Sequence, residues 1–187
     1  MQNIGKKESI VFGAGCFWCT EAVFKLIKGV ISVEPGYSGG EIEDPTYEQV
    51  STGTTGYVEV AKIEYDPKET SFSELLTVFF ASHDPTSQDR QGADTGSQYR
   101  SVIFYTTPEQ KIESEKYIKD ANESHPEGKP IITLVQPLKN FYKAEKYHED
   151  FFENNPSYPY SQMIINPKLE KIKKEFADLL KNKINNK

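Results

Sequence analysis

The stretch Ser9–Gly29 reads SIVFGAGCFWCTEAVFKLIKG and contains both cysteines of the chain, Cys16 and Cys19. A short apolar run, Ser9–Phe12, predicts a strand that ends at the glycine turn of residues 13–15. A helical pattern follows, and Gly29 is suited to its C-terminus. The apolar face of that helix consists of Cys19, Ala22, Val23, Leu26 and Ile27, whereas Thr20, Glu21, Lys25 and Lys28 lie off it.

Strand and helix patterns continue along most of the chain beyond this stretch. The predicted strands are Val30–Val33, ended by Pro35-Gly36, then Tyr57–Tyr65, Ser101–Tyr105 and Ile131–Val135. The predicted helices are Ser71–Ser82, capped by Ser71 with Glu74, then Thr107 to about Ser124, and Leu169–Leu179. This mixture, without hairpin spacing, predicts a mixed sheet covered by helices. Two long polar loops, residues 36–56 and 83–100, are candidate functional segments.

Length and composition restrict the class of protein. The 187 residues suit a single domain, 1–187, with a frayed end from about residue 181. A net charge of −6 argues against nucleic-acid binding, and the lack of an 18-residue apolar run argues against a membrane span. The N-terminus shows no signal-peptide pattern. Two cysteines three residues apart cannot form the disulfide framework of a secreted domain, so we expect a reducing, cytoplasmic setting.

The two cysteines call for different interpretations. Cys16 follows the glycine turn at the start of the helix, where partial positive charge lowers a thiol pKa and favours the reactive thiolate over an inert buried thiol. Cys19 lies on the apolar face, which favours a small core residue over a resolving thiol of a C-x-x-C pair. A zinc site is disfavoured because the histidines are scattered, at His83, His125 and His148, and no metal is predicted.

Phe17, Trp18 and Glu59 are candidate site residues with two interpretations each. The two aromatics would either line an apolar pocket beside the thiol or pack against neighbouring strands. Strand alternation puts Glu59 on the mostly apolar face of Tyr57–Tyr65. A buried carboxyl there would have a raised pKa and donate a proton, whereas an exposed face would leave it an ordinary surface residue.

Each long loop carries a tyrosine, Tyr47 in the first and Tyr99 in the second. A phenol donates hydrogen bonds without titrating near neutral pH, although with 11 tyrosines in the chain any one of them is more often a packing residue. Asp94 lies between two glycines of the second loop, which is typical of a turn residue.

Together these segments resemble one known family, peptide methionine sulfoxide reductase A. The similarity begins with the G-C-F-W signature in GCFWCTEAVF, Gly15–Phe24. It continues through GYSGG (36–40), PTYEQVSTGTTGYVE (45–59), YDP (65–67), HDPTSQDRQGADTGSQYRS (83–101), FYKAEKYHEDFF (141–152) and NPKLEKIKKEF (166–176). These blocks, in this order, cover almost the whole chain.

The resemblance implies an α+β fold, with a two-layer mixed β-sheet core, a catalytic cysteine at a helix N-terminus and an extended C-terminal arm. It implies reduction of methionine-S-sulfoxide, free or in proteins, through a sulfenic acid on the cysteine. By position, Cys16 matches the nucleophile and Glu59 the acid. Phe17 and Trp18 match the pocket for the S-methyl group. Tyr47 and Tyr99 match the tyrosines that bind the sulfoxide oxygen, and Asp94 matches the aspartate that holds the substrate backbone.

One departure from the family pattern concerns the return of the oxidised cysteine to the thiol. Many members carry a resolving cysteine in a YCQ-like context, where this chain has Tyr160-Ser161-Gln162, and others carry one where this chain has Ser51. The resemblance therefore implies no bound cofactor and an external thiol, such as thioredoxin, glutaredoxin with glutathione, or dithiothreitol. Cys19 remains the only internal candidate. We expect a monomer that could dimerise on oxidation or substrate binding.

Two other functions remain as alternatives. A thioredoxin-like dithiol oxidoreductase would use Cys16 and Cys19 together, and strand, turn, C-x-x-C and helix fit it locally. The bulky Phe17-Trp18 pair and the long polar loops do not fit it. A binder of methionine-containing segments would use the aromatic pocket without turnover.

Overall fold

The computed structural model describes residues 7–181. Its strands are β1 (Glu8–Ala14), β2 (Val30–Ser38), β3 (Val58–Tyr65), β4 (Arg90–Gln91), β5 (Asp94–Thr95), β6 (Ser101–Tyr105), β7 (Leu134–Pro137) and β8 (Tyr142–Lys143). Its α-helices are α1 (Phe17–Lys25), α2 (Tyr47–Ser51), α3 (Phe72–Ser82), α4 (Pro108–Ser124), α5 (Phe151–Asn154) and α6 (Asn166–Glu175). One sheet has the order β7-β6-β1-β3-β2-β8, and β4 pairs with β5 in a separate hairpin.

The sheet is mixed, as predicted. Strands β1 and β2 both pair antiparallel with β3, which lies between them, so α1 connects two parallel strands across a third. This is a split β-α-β arrangement. Strand β6 pairs antiparallel with β1, and α4 then leads to β7, which runs parallel to β6. The topology brings the C-terminal end of β1 beside the N-terminal end of β3, where the candidate residues lie.

The two faces of the sheet carry different amounts of apolar surface. The helices pack on one face, where Phe12 of β1 stacks with Phe79 of α3 at a ring distance of 4.5 Å and contacts Phe24 of α1 at 5.4 Å. The other face has a small buried cluster, Val11, Val58, Val60, Val102 and Phe104, under Leu138 and Phe141. Most of the core therefore lies between the sheet and its helices.

Strand β2 runs through the proline that was predicted to end it. The carbonyl of Pro35 accepts the N–H of Ala144 at 2.9 Å, and Pro35 pairs with Ala61 of β3. Because the N and C=O of one residue point to the same side of an antiparallel strand, the missing proline N–H faces the short edge strand β8 and costs no bond with β3.

Strand β7 begins three residues later than the predicted strand Ile131–Val135. The N–H of Ile131 donates to Asn122 Oδ1 and that of Ile132 donates to the carbonyl of Pro85, at 2.8 and 2.9 Å. These backbone donors are satisfied outside the sheet, so pairing with β6 starts only at Leu134.

The C-terminal region differs from the sequence prediction in its bounds. Helix α6 ends at Glu175, and a 3₁₀ turn, Ala177–Leu179, follows it. The N–H of Lys181 donates to the carbonyl of Leu26 at 2.8 Å, so the chain is ordered at residue 181. The remainder of the predicted frayed tail, residues 182–187, lies outside the described residues.

Helix α1 is buried on more sides than its sequence predicts. Thr20 and Glu21, expected to lie off the apolar face, are each 3% exposed. Residues after β8 cover that side: the N–H of Asp150 donates to Glu21 Oε1 at 3.1 Å, and Lys25 contacts both carboxylates. The sequence did not predict this burial, because amphipathic periodicity reports one apolar stripe and cannot reveal a second covering segment.

Candidate active site

Cys16 lies at the junction between β1 and α1. Strand β1 ends at Ala14, and Gly15 has φ +89°, a conformation that favours glycine. The carbonyl of Cys16 accepts the first helical bonds, from the N–H groups of Cys19 and Thr20 at 3.1 and 3.3 Å. Cys16 is therefore the N-cap residue of α1, as the glycine turn predicts, and its side chain is 9% exposed.

Glu59 lies on β3 directly against the start of α1. Its Oε2 accepts the N–H of Phe17 at 3.1 Å, which satisfies one of the unpaired donors at the helix N-terminus. The side chain is 2% exposed, so of the two alternatives that strand alternation left open, burial is the one observed. Burial raises the pKa of Glu59 to about 8, although the bond from Phe17 opposes the shift. The carboxyl therefore keeps its proton at neutral pH.

The two thiols interact with each other, so the ionisation of one affects that of the other. The interaction with Cys16 lowers the pKa of Cys19 to about 7, whereas burial, the contact with Cys19 and the charge of Glu59 raise the pKa of Cys16 well above its ordinary value. The prediction of a lowered pKa for Cys16 itself is not observed, because desolvation outweighs the helix N-terminus. Cys16 therefore holds its proton more tightly than an ordinary thiol does, and Cys19 holds its proton less tightly.

Cys19 is both a core residue and a neighbour of the candidate nucleophile. It is 2% exposed and belongs to the apolar cluster on the helix face of the sheet. Its Sγ also lies 3.9 Å from the hydroxyl of Tyr160, and the Tyr160 hydroxyl donates to Asp94 Oδ2. Core packing and contact with Cys16 are compatible, because positions i and i+3 share one side of a helix.

Both loop tyrosines lie near Glu59 and Cys16. Burial raises the pKa of Tyr47 and of Tyr99, and the negative charges of Glu59 and Cys16 contribute to each shift. Both phenols therefore stay protonated and can donate hydrogen bonds. The backbone N–H of Tyr47 donates to Glu145 Oε1 at 2.8 Å, which holds the start of α2 in place.

Phe17 and Trp18 form an aromatic cluster beside Cys16. Phe17 is 1% exposed and lies 4.8 Å from the His148 ring and 6.4 Å from the Tyr47 ring. The Trp18 indole stacks on Phe151 at 3.6 Å with an angle of 4° between the planes. One face of the indole is thus covered by the C-terminal part of the chain.

His148 and Glu145 are site residues to which the sequence analysis gave no role. His148 is fully buried, and its Nδ1 accepts the indole N–H of Trp18 at 3.0 Å. Burial lowers its pKa, so the ring stays neutral at pH 7, with the remaining proton on Nε2, 3.8 Å from Glu145 Oε2. Glu145 also accepts the hydroxyl of Tyr37 at 2.6 Å. The signal for both residues was the block FYKAEKYHEDFF, Phe141–Phe152.

Asp94 and Ser161 lie on either side of Tyr160. The carboxylate of Asp94, on β5, accepts the hydroxyl of Tyr160. Ser161 is fully buried, and its hydroxyl has no hydrogen-bond partner among the described residues. The C-terminal region thus approaches the thiols through Tyr160.

The described residues offer no cluster of three or more metal-ligating side chains. His83 is engaged in the core, with Nδ1 2.7 Å from the carbonyl of Phe79 and Nε2 2.7 Å from Ser101 Oγ. None of the helices in residues 7–181 is long and apolar enough to span a bilayer.

Comparisons with known proteins identify the family of the chain. The model of the peptide methionine sulfoxide reductase family matches residues 8–180. The chain belongs to this family. The predicted membership is confirmed, and with it the enzyme class, peptide-methionine (S)-S-oxide reductase.

Curated members of the family match nearly the whole chain. Peptide methionine sulfoxide reductase MsrA of Sulfolobus acidocaldarius is 50% identical over 171 residues, which are 91% of this chain and 96% of that protein. MsrA of Thermus thermophilus is 49% identical over 175 residues, 94% of this chain and 98% of its own length.

Solved structures of the family share the fold. Methionine sulfoxide reductase A of Corynebacterium diphtheriae is 33% identical with a TM-score of 0.73, covering 83% of this chain and 78% of its own. Reduced Mxr1 of Saccharomyces cerevisiae is 35% identical with a TM-score of 0.73, and the match covers 81% of this chain and 87% of that one. The predicted α+β class is confirmed. A further structure contains Mxr1 of Saccharomyces cerevisiae in complex with Trx2. It is 28% identical to this chain with a TM-score of 0.53, and the match covers 76% of this chain and 84% of that one.

Proposed function

We propose that the chain reduces methionine-S-sulfoxide, free or in proteins, to methionine with Cys16 as the nucleophile. The observation that carries this proposal is the contact between the start of α1 and a buried Glu59 that keeps its proton up to about pH 8. A sulfoxide has a polar oxygen and a weakly electrophilic sulfur, so its reduction needs a proton donor next to a thiol nucleophile.

The residue types account for each step of the reaction. Glu59 protonates the sulfoxide oxygen, while the phenols of Tyr47 and Tyr99 donate hydrogen bonds to it. As the sulfur of Cys16 attacks the substrate sulfur, its thiol proton replaces the one that Glu59 donated, and the protonated oxygen is transferred to Cys16. The bond between the substrate sulfur and its oxygen breaks as methionine leaves. Methionine sulfoxide gains two electrons and Cys16 loses two, becoming a sulfenic acid.

The aromatic cluster and Asp94 would bind the rest of the substrate. We assign the S-methyl group to the apolar surface of Phe17 and Trp18, and the substrate backbone to Asp94. Asp94 accepts the Tyr160 hydroxyl at one oxygen, and its carboxylate keeps further acceptor capacity for a substrate N–H.

An external thiol would return the sulfenic acid to the thiol. Ser161 and Ser51 cannot form disulfides, which leaves Cys19 as the internal cysteine. The structure of yeast Mxr1 with Trx2 supports a thioredoxin-type reductant. Glutaredoxin with glutathione, or dithiothreitol in vitro, would serve by the same chemistry. We propose that the working form is a monomer.

The contact between Cys16 and Cys19 favours one competing route, an internal disulfide. In that route the Cys19 sulfur attacks the sulfenic acid of Cys16, water leaves, and the external thiol reduces the disulfide instead. The same pair would serve a thioredoxin-like dithiol oxidoreductase. Strong reduction of insulin disulfides that needs both cysteines would support that second function.

The proposal predicts that Cys16→Ser abolishes methionine formation from the S epimer, because the nucleophile is lost. The matched variant Cys19→Ser should keep most of the activity with dithiothreitol. Without any thiol, the unmodified chain should release one methionine per chain, measured by chromatography. Normal activity of Cys16→Ser would refute the proposal.

Mass spectrometry after that single turnover separates the two recycling routes. A sulfenic acid on Cys16, or a mixed disulfide with added thiol, supports direct reduction by the external thiol. An intramolecular Cys16–Cys19 disulfide refutes it in favour of the internal route.

A further inference from the structure

A cavity beside the two sulfur atoms includes Asp94, which the mechanism above assigns to the substrate backbone, and also a lysine to which that mechanism gives no role. A second ligand could enter it once methionine has left. It has a volume of about 270 Å³ and is lined by both Cys16 and Cys19. Residues of the second long loop form one wall, among them Asp84 and Asp94, and Lys168 of α6 belongs to the lining. Glu59 and Phe17 are not among its lining residues, and Trp18 reaches it only through the ring of Tyr160, at a ring distance of 5.8 Å.

Lys168 is the cationic group of this cavity. It is half-buried, and no carboxylate of the described residues lies within salt-bridge distance of it, whereas Lys143 and Lys173 are both paired. The charge of Lys168 reaches the sulfurs, since it contributes to the lowered pKa of Cys19. The other basic residue in the lining is His83, whose pKa burial lowers to about 4, so it is neutral.

The opposite wall of the cavity is acidic. The carboxylate of Asp94 accepts the Tyr160 hydroxyl, which occupies one of its oxygens. Asp84 is exposed, and its Oδ1 accepts the N–H and hydroxyl of Thr86 at 2.9 and 2.7 Å. An unpaired cation on one side and a carboxylate on the other complement a ligand that carries both charges.

We propose that this cavity binds a small amino-acid-type thiol that reduces oxidised Cys16 directly, with the thiol's carboxylate at Lys168 and its ammonium group towards Asp84. The volume lies just below the ~300 Å³ at which ligand pockets usually begin, which suits a ligand of amino-acid size. This inference rests on the proposed function, because it needs Cys16 to become oxidised.

The chemistry of this step is balanced. The thiolate of the small thiol attacks Cys16 Sγ, an S–S bond forms, and the S–O bond breaks with the oxygen leaving as water. A second thiol attacks the mixed disulfide and releases Cys16 as a thiolate. Overall, two thiols are oxidised to one disulfide, and the sulfenic acid is reduced to a thiol with one water formed.

The test measures how fast four thiols reduce the enzyme after a single turnover with methionine-S-sulfoxide. They are cysteine with both charges, 3-mercaptopropionate with a carboxylate, cysteamine with an ammonium group, and uncharged 2-mercaptoethanol. Rapid quenching and mass spectrometry give the loss of sulfenic acid, expressed per thiolate. Cysteine should be the fastest of the four. Equal rates for cysteine and 2-mercaptoethanol, or for cysteine and 3-mercaptopropionate, would overturn the proposed ligand class.

Replacing the cation tests its assignment. Lys168→Ala should slow cysteine and 3-mercaptopropionate about fivefold, which corresponds to roughly 1 kcal/mol, and leave the other two thiols within about twofold. Lys174→Ala, an exposed lysine on the same helix, is the matched control and should change none of the rates. Equal slowing of all four thiols, or no slowing of cysteine and 3-mercaptopropionate, would show that Lys168 does not bind the thiol's carboxylate.

The two proposals can fail separately in this experiment. The methionine released before any thiol is added tests Cys16 and Glu59, and Lys168→Ala should leave that amount at one per chain. If no methionine is released, the proposed function is wrong. If methionine is released and the thiols show no charge preference, only the binding site is wrong.

Discussion

Glu59 is the residue whose environment decides the chemistry of the site. Its strand places it among apolar neighbours, and the start of α1 closes over it so that only 2% of the side chain is exposed. Desolvation then raises its pKa to about 8 while the Phe17 N–H binds one oxygen. The result is a proton donor that works at neutral pH, beside the thiol of Cys16.

We predict that the rate of the first turnover falls at alkaline pH. The fall should follow the loss of the Glu59 proton near pH 8. Glu59→Gln should lower the rate about 100-fold or more and remove the falling limb. Rapid-quench measurement of methionine release checks this.

The control for this variant is Glu64→Gln, the same change on the same strand at a position that contacts Lys7. It should keep both the rate and the profile. A falling limb that survives in Glu59→Gln would mean that another group donates the proton.

At the scale of elements, α1 is held between the sheet and the segment that follows β8. Phe151 stacks on Trp18, His148 accepts its indole N–H, and Asp150 donates to Glu21. These contacts join residues about 130 positions apart in the chain. The orientation of the proposed methyl pocket therefore depends on a segment whose own sequence showed no regular periodicity.

We predict that His148→Ala loosens Trp18 and weakens substrate binding. The indole N–H loses its buried acceptor, so the emission of this single tryptophan should shift to longer wavelength, and KM should rise about fivefold. In His148→Asn the side-chain oxygen can replace Nδ1 as acceptor. This variant should recover much of the original emission wavelength and of the original KM.

Fluorescence and steady-state kinetics check this prediction against His125→Ala, a change at an exposed histidine. Unchanged emission in His148→Ala would show that the hydrogen bond does not position the indole.

At the scale of the whole molecule, the buried Glu59 makes the stability of the fold depend on pH. Glu59 has a pKa near 8 in the folded chain against 4.5 as its ordinary value. At pH values between 4.5 and about 8, the Glu59 carboxyl has lost its proton in the unfolded chain but keeps it in the folded chain. Stability contributed by this group is therefore complete below about pH 4.5 and is lost as the pH rises to about 8.

We predict that Glu59→Gln becomes more stable relative to the unmodified chain as the pH rises from 4.5 to 8, by a few kcal/mol in total. Other titrating groups, such as Glu21 and His83, contribute equally to both proteins and cancel in the difference. Urea unfolding at several pH values measures this. A difference that does not change with pH would show that burial does not shift the pKa of Glu59.

The sequence by itself determined the local features of this protein. Helix caps and turns are signalled by adjacent residues, so α3 with its Ser71–Glu74 capping box and the position of Cys16 after Gly15 were predicted correctly. Motif blocks spread along the chain identified the family. These signals need no knowledge of what covers each element.

Only the tertiary structure decided the properties that depend on burial. Alternation left the burial of Glu59 open, and periodicity placed Glu21 off the apolar face without revealing the segment that buries it. Neither pattern revealed the contact of Cys16 with Cys19 or the acceptor His148. The physical reason is that desolvation, hydrogen bonding and pKa depend on segments distant in the chain, which a local pattern does not contain.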